Sequence, residues 1–415
     1  MTELAQVIYA EWVSMAGNAL YVMVVLAVAQ YRSHDGTFWV GLISAVMLMP
    51  PLFSGIFGIA IDAAIRRRKH LLMFADAARV LLVAITVFTV KFDAFVVMVV
   101  LSGLVSALNT LFGQTFRTWI PSVVPPHKLR RTTGLYQTGN TVAQVFAAAA
   151  GFFAFHWSVT TPPLVFDVGT FVLSLVILWM YVDKSSVDAG KEAAPKTSTR
   201  NSSFKNLLTE TIAMGRWPFI RILLPLLALN SLAFLPYAHL LPSWVRDVLH
   251  YNMQLYPGLE AAVVIGALAG NMWWNHWHSN LSLARWIGVS IGCTVFGMML
   301  FVSVPTVITS IAGLFFIGVG TAIDGVAFSV FLQGNVPNRL LGRAFGLVGM
   351  FSQIGGPLAL IAFALISSSH LVRPFFAVAP VTFAISAWWI LRWVRQPNLV
   401  QQLGTGETTH KIGGS

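Results

Sequence analysis

Twelve apolar runs, each about long enough to cross a bilayer, partition this chain. A span needs about 20 apolar residues. Runs near that size lie at roughly 7–29, 38–61, 71–90, 95–116, 132–155 and 163–182, then at 220–245, 254–274, 283–304, 307–330, 340–366 and 374–394. Inside lipid the backbone must satisfy its own hydrogen bonds, so runs of this length are read as helices. Hydrophobic residues make up 56% of the chain and charged residues 10%, too little charge to cover a soluble protein of this size. The expected fold class is an all-α membrane protein with twelve transmembrane helices.

The runs repeat. At an offset of 212 residues Val124-Pro125 falls on Val336-Pro337, Leu129 on Leu341, Arg131 on Arg343 and Gly134-Leu135 on Gly346-Leu347. The same offset puts Asn18 on Asn230, Leu20 on Leu232 and Gly58 on Gly270. Two parallel, pseudo-symmetric six-helix halves are a transporter architecture. The expected organisation is an N-terminal half at 1–182, a linker at 183–218, a C-terminal half at 219–394 and a tail at 395–415. The linker is rich in Ser, Thr, Lys and Ala at first and reads there as disordered. Its stretch from Phe204 to Met214 suits either a helix on the membrane surface or a plain connection.

The net charge of +11 first suggests nucleic acid. The charges, however, sit in short clusters between apolar runs, and no basic stripe with interleaved aromatics is present. They act as topology determinants instead. Alternating loops carry 21 Lys and Arg on one side and only Arg32, Lys91, Arg246 and Arg373 on the other. This asymmetry puts both termini and the linker in the cytoplasm of a cell (plasma) membrane protein. Trp39, Trp157 and Trp244 then fall near outer ends, where amphipathic rings prefer to sit. The N-terminal sequence has no basic region before its apolar run, so the run is expected to be a retained helix. The single Cys293 excludes an internal disulfide.

Several motifs, in this order, resemble the major facilitator superfamily, and most of all its drug-efflux branch with the macrolide-efflux proteins. They are Ser14 to Tyr21 in the first run, Gly58 to Arg67 after the second, Asp76 to Leu82 in the third and Ile120 to Pro125 after the fourth. Val245 to Leu249 and Val336 to Leu347 continue the pattern in the second half. The resemblance implies alternating access, and within this branch export of a small molecule against proton entry. It also implies a gate: Asp62 faces the N-terminus of the eleventh helix when the cytoplasmic side is closed, a carboxylate at a helix dipole. Asp62 and Arg66 are four apart and can pair, with Arg67 beside them. The family's basic residue after the Asp is here Ala63 and its Gly is Ile65, which loosens the gate. Arg66 to Lys69 as a bare topology anchor is the alternative.

Asp76 and Arg79 lie roughly 8–12 Å into the third run. Bare charges there are costly, and at this spacing they can neutralise each other. They read as a structural pair, as a relay to Asp62 and Arg117, or as both. Asn18 lies roughly 16 Å along the first run, near the midplane. The resembling branch commonly has an Asp there. Asn18 and its repeat mate Asn230 can hydrogen-bond a substrate, or each other's neighbouring helices, but cannot carry a proton. Gln114, Asn140 and Gln144 join them as candidate cavity residues. Glu260, Asp324 and Glu11 are taken as the remaining intramembrane acids, and so as candidate proton carriers in that order. For Glu11 the alternative is snorkelling, and for Asp324 capping or a local hydrogen bond. His276 and His278 point about 200° apart on a helix, so no metal site is expected. The fifth run reads Phe146-Ala147-Ala148-Ala149-Ala150-Gly151, keeping the small residues of antiporters but not their Pro.

The expected function is a monomeric secondary active transporter, a proton-coupled exporter of an amphipathic drug or natural product, without a cofactor. Its partners are a small-molecule substrate, protons and the lipid bilayer, with no nucleic acid. No nucleotide-binding loop or H-E-x-x-H occurs, and no nucleophile elbow on a strand-to-helix turn is read, so neither ATP use nor enzyme chemistry is expected. A uniporter, or a carrier of a siderophore, peptide or lipid, is the alternative. A non-transporting sensor or intramembrane enzyme is the rival from another class.

Overall fold

The computed structural model describes residues 2–53, 68–123, 126–157, 161–180, 218–277, 283–335, 338–366 and 372–394. Among these residues there are twelve long helices. The first six are α1 (Thr2–Arg32), α2 (Gly36–Leu52), α3 (Arg68–Lys91), α4 (Phe95–Val123), α5 (Pro126–Trp157) and α6 (Thr161–Met180). The last six are α7 (Pro218–His239), α8 (Tyr256–Trp277), α9 (Leu283–Ser303), α10 (Val307–Asn335), α11 (Asn338–Ile366) and α12 (Val372–Val394). Seven of them are long and apolar enough to cross a membrane by length and composition. The linker, the tail and the Asp62–Arg66–Arg67 loop lie outside the described residues, as do His278 and the side chain of Arg117.

Each half packs within itself. α1 lies against α5 and α6, and α3 against α4 and α6; in the second half α10 sits between α8 and α9, and α7 between α11 and α12. The two halves meet where α2 packs on α11 and α5 on α8. Gly41 explains the first contact: a Cβ there would lie 3.1 Å from both the Ala364 methyl and the Leu360 carbonyl. A glycine lets the helices approach this closely without the neighbour giving way. At Gly151, the end of the alanine run in α5, a Cβ would lie 3.4 Å from Pro257 at the start of α8, an ordinary contact.

Apolar side chains that no helix covers form stripes. On α3, Phe74, Leu81 and Phe88 are exposed at seven-residue spacing, while Leu72, Ala75 and Val83 are buried. α6, α9 and α12 carry similar faces with Phe166 and Leu173, Phe296 and Met299, and Val381 and Trp388. A face this apolar requires lipid beside it. The groove between α8 and α10, lined by Ile265, Ile308, Ile311 and Phe315, opens on the same kind of surface and offers no polar group to orient a solute.

One predicted element ends early. The seventh run is expected to continue to 245, but α7 stops at His239. Pro242 lacks the N–H a continuing helix needs and restricts the residue before it. A short turn, Leu241–Ser243, follows, and then a wide π-helical turn at Trp244–Val248. Trp244 is not the interfacial ring expected from its position. It is fully buried, stacked on Phe301 at 4.2 Å, and its indole N–H donates to Ser310 at 3.1 Å.

Candidate functional site

Two polar constellations stand out. The first closes one end of the helix assembly. Trp244, pinned between Phe301 and Phe376, anchors the π turn that it begins. Because that turn is wider than an α-helical one, the consecutive residues Arg246 and Asp247 both reach the first half. Asp247 Oδ2 accepts hydrogen bonds from Thr37 Oγ1 at 2.7 Å and Gln30 Nε2 at 3.1 Å. Ser243 Oγ donates to Gln30 Oε1 at 2.9 Å. Arg246 donates to the Gln30 carbonyl and, at 3.3 Å, to that of Ser33. Its cation thus serves the orphan carbonyls and negative dipole at the C-terminus of α1. These five bonds join the two halves at what we call the Asp247 end. Close by, the fork of Arg32 holds Asp93, with 2.9 Å between Nε and Oδ1, and ties α1 to the turn before α4.

The sequence reads Arg246 as a loop charge and, with Asp247, as part of the Val245 to Leu249 motif, and singles out none of Gln30, Arg246 and Asp247 as a site. Asp247 stands in plain view as the repeat mate of Asp35, at the same 212-residue offset. What conceals the latch is that its partners come from two connections more than 200 residues apart.

The second constellation lies inside the first half, between α1, α3 and α6. Asp76 and Arg79 are fully buried and form a salt bridge, as their spacing implied. Ser174 Oγ donates to Asp76 Oδ2 at 2.7 Å and Ser14 Oγ to Oδ1 at 3.4 Å. The Arg79 guanidinium lies between the rings of Phe112 and Phe171, 4.4 and 4.7 Å from their centroids, so its charge meets π faces where it does not meet a carboxylate. Glu11 is also fully buried, which overturns the snorkelling alternative, and its charge acts on Arg79.

A fourth buried ionisable group, Asp167 on α6, acts on Arg79 as well. The set of three further acids taken from the sequence is therefore incomplete. Asp167 interrupts Val165-Phe166-Asp167-Val168 in the sixth run, and a scan of every run for acids finds it. Its Oδ1 accepts from Thr170 Oγ1 at 3.4 Å, and Oδ2 has no hydrogen-bond partner among the described residues. Facing it is Gly17 of α1, where a Cβ would come within 2.8 Å of Oδ1.

The remaining candidates do not converge with these. Glu260 is half-buried on α8, one turn after Tyr256, and Asp324 is exposed on α10. Asn18 is half-buried, with no side-chain hydrogen bond among the described residues. Its repeat mate Asn230 instead accepts a hydrogen bond from Ser386, which ties α7 to α12. Gln114 and Gln144 are half-buried; Asn140 is buried, with Oδ1 unpartnered among the described residues. Gln353 on α11, absent from the sequence reading, has an unpartnered buried Oε1 in the same sense.

Two six-helix groups with lipid-type outer faces, joined at one end by a polar latch, define a multi-pass membrane transporter. The family model described as Major Facilitator Superfamily matches residues 8–360, and the chain belongs to that family. No curated protein matches the sequence. Solved structures share the fold at low identity. The nucleoside transporter NupG aligns with a TM-score of 0.71 at 10% identity, covering 95% of this chain and 100% of that one. A bacterial homologue of the human lysosomal transporter Spinster, in an inward-facing and unoccupied conformation, gives 0.70 at 14%, covering 97% and 98%. The D-xylose-proton symporter gives 0.67 at 14%, covering 94% and 95%.

Proposed function

We propose that this transporter is a proton-coupled exporter of an amphipathic small molecule, working by alternating access from a plasma membrane with both termini in the cytoplasm. In this reading the Asp247 end is the outer face, and the described conformation is closed to the outside. The observation that carries the reading is the Asp247 latch: five hydrogen bonds between the halves at one end are a contact that must break for a solute to leave there. The Lys and Arg asymmetry supports the orientation, and the likeness to an inward-facing neighbour supports the conformation. The likeness to a D-xylose-proton symporter and the buried carboxylates of the first half support proton coupling. Export and an amphipathic cargo rest on the resemblance to the macrolide-efflux branch.

The neutral Asn18 and the missing helix-5 Pro favour a second reading, a uniporter. A thermal-shift screen of the purified protein against drugs, siderophores and peptides supplies a ligand. Its flux into proteoliposomes is then measured with and without a pH gradient. Proton-coupled export predicts accumulation against the ligand gradient that a protonophore abolishes. Flux that only equilibrates the ligand, indifferent to pH gradient, supports the uniporter and overturns coupling.

A further inference from the structure

We propose that Asp167 is a proton-binding site of this transporter, occupied while the Asp247 end is latched. The proposal rests on the proton-coupled reading and deepens it by naming the carrier.

Charge balance comes first. Four ionisable groups, Glu11, Asp76, Arg79 and Asp167, are wholly shielded from solvent in one region. Three are acids and one is a cation. Arg79 is committed to Asp76 by their salt bridge, and Asp76 is completed by two serine hydroxyls. That pair is neutral and the Asp76 carboxyl is satisfied, while Arg79 Nη1 has no hydrogen-bond partner among the described residues and its guanidinium lies against the rings of Phe112 and Phe171. Asp167 has no such partner among the described residues: one weak hydrogen bond from Thr170 reaches Oδ1, and Oδ2 has none. An ionised carboxylate in such a place loses its hydration without compensation, whereas its protonated form loses only a hydroxyl's.

Among the described residues, the elements packed around α6 contribute no second buried Lys or Arg: Arg32 of α1 and Lys69 and Lys91 of α3 lie at the helix ends and are not buried. From α1 come Glu11 and Tyr21, and the Tyr21 hydroxyl is engaged with Thr86 and Ser102. From α3 come Asp76 and Arg79. The described ionisable side chain of α5 is the exposed His156.

Access is built into α1. Gly17 abuts the Asp167 carboxyl, and the next residue, Asn18, is half-buried with its amide unengaged by any described residue. The same helix ends in Gln30, the centre of the latch. A shift of α1 against α6 moves Gly17 relative to the Asp167 carboxyl and carries Gln30 of the latch with it. The step is a plain proton transfer, from bulk water to the carboxylate on one side and back to water on the other, with no further reactant.

Infrared spectroscopy tests this without a substrate. Wild-type protein at neutral pH is expected to show a protonated-carboxyl C=O band that is lost in Asp167→Asn and kept in Glu260→Gln and Asp324→Asn. Asp167→Glu, which retains an acid, should shift the band rather than remove it, and it stands in if the amide variant does not fold. A band unchanged in Asp167→Asn, or unshifted in Asp167→Glu, overturns the proposal. Coupling fails separately: if the band belongs to Asp167 but the distance across the latch in wild-type protein ignores pH, the proton site stands and the proton-driven reading falls.

Discussion

Removing the Asp247 carboxylate should open the end it closes, by an amount the structure allows one to work out. Asp247→Ala deletes two hydrogen bonds between the halves, those from Thr37 and Gln30. A buried hydrogen bond to a charged group contributes about 1.5–3 kcal/mol. Asp247 is only half-buried, so about 1 kcal/mol for each is the fitting figure, and about 2 kcal/mol for both. That shifts the ratio of open to closed states roughly thirty-fold. The bonds from Ser243 and Arg246 remain, so the latch weakens but is not abolished. Spin labels at His34 and His250, both exposed and on opposite halves, read the populations by pulsed distance measurement in a Cys293→Ser background. The ratio of long-distance to short-distance molecules should grow by about that factor. A distribution identical to the parent's would mean that Asp247 is a surface residue whose bonds hold nothing closed.

Three further outcomes are expected. Arg79→Gln leaves three buried acids around one lost cation and should lower stability by about 3–5 kcal/mol; adding Asp76→Asn should restore part of it, which thermal unfolding in detergent measures. Single cysteines at Ser202 and His250 should differ in labelling of intact cells by an impermeant thiol reagent, with position 250 modified and 202 protected; modification at 202 reverses the proposed orientation. Asp62→Asn should cost the cytoplasm-closed state about 0.3–1 kcal/mol, or up to about 2 kcal/mol if partly buried, seen as a longer distance between the loop after α2 and the start of α11.

The fold is largely legible because a spanning helix is specified by its own composition. The third run, placed at 71–90, is α3 at Arg68–Lys91, and the ninth, placed at 283–304, is α9 at Leu283–Ser303. The seventh fails at its end because a window of apolar residues is blind to backbone geometry, and Pro242 breaks a helix without lowering its hydrophobicity. The site is legible only where it is local. Asp76 and Arg79 are three apart and pair as expected. Asn18 and Asn230 read alike as repeat mates, yet Ser386 engages only the second. The latch and the approach of Asp167 to α1 depend on which helix faces which, and no run of sequence carries that information.

Alternating access requires the two ends to move oppositely, and this is the central claim. The direct measurement adds a second label pair at His70 and His276, both exposed at the opposite end, near the start of α3 and the end of α8. It is recorded beside the His34–His250 pair in the parent and in Asp247→Ala. The His70–His276 distance should shorten in the same proportion of molecules in which the His34–His250 distance lengthens. A His34–His250 distance that lengthens while the His70–His276 distance stays fixed, or lengthens with it, contradicts a rocking transporter.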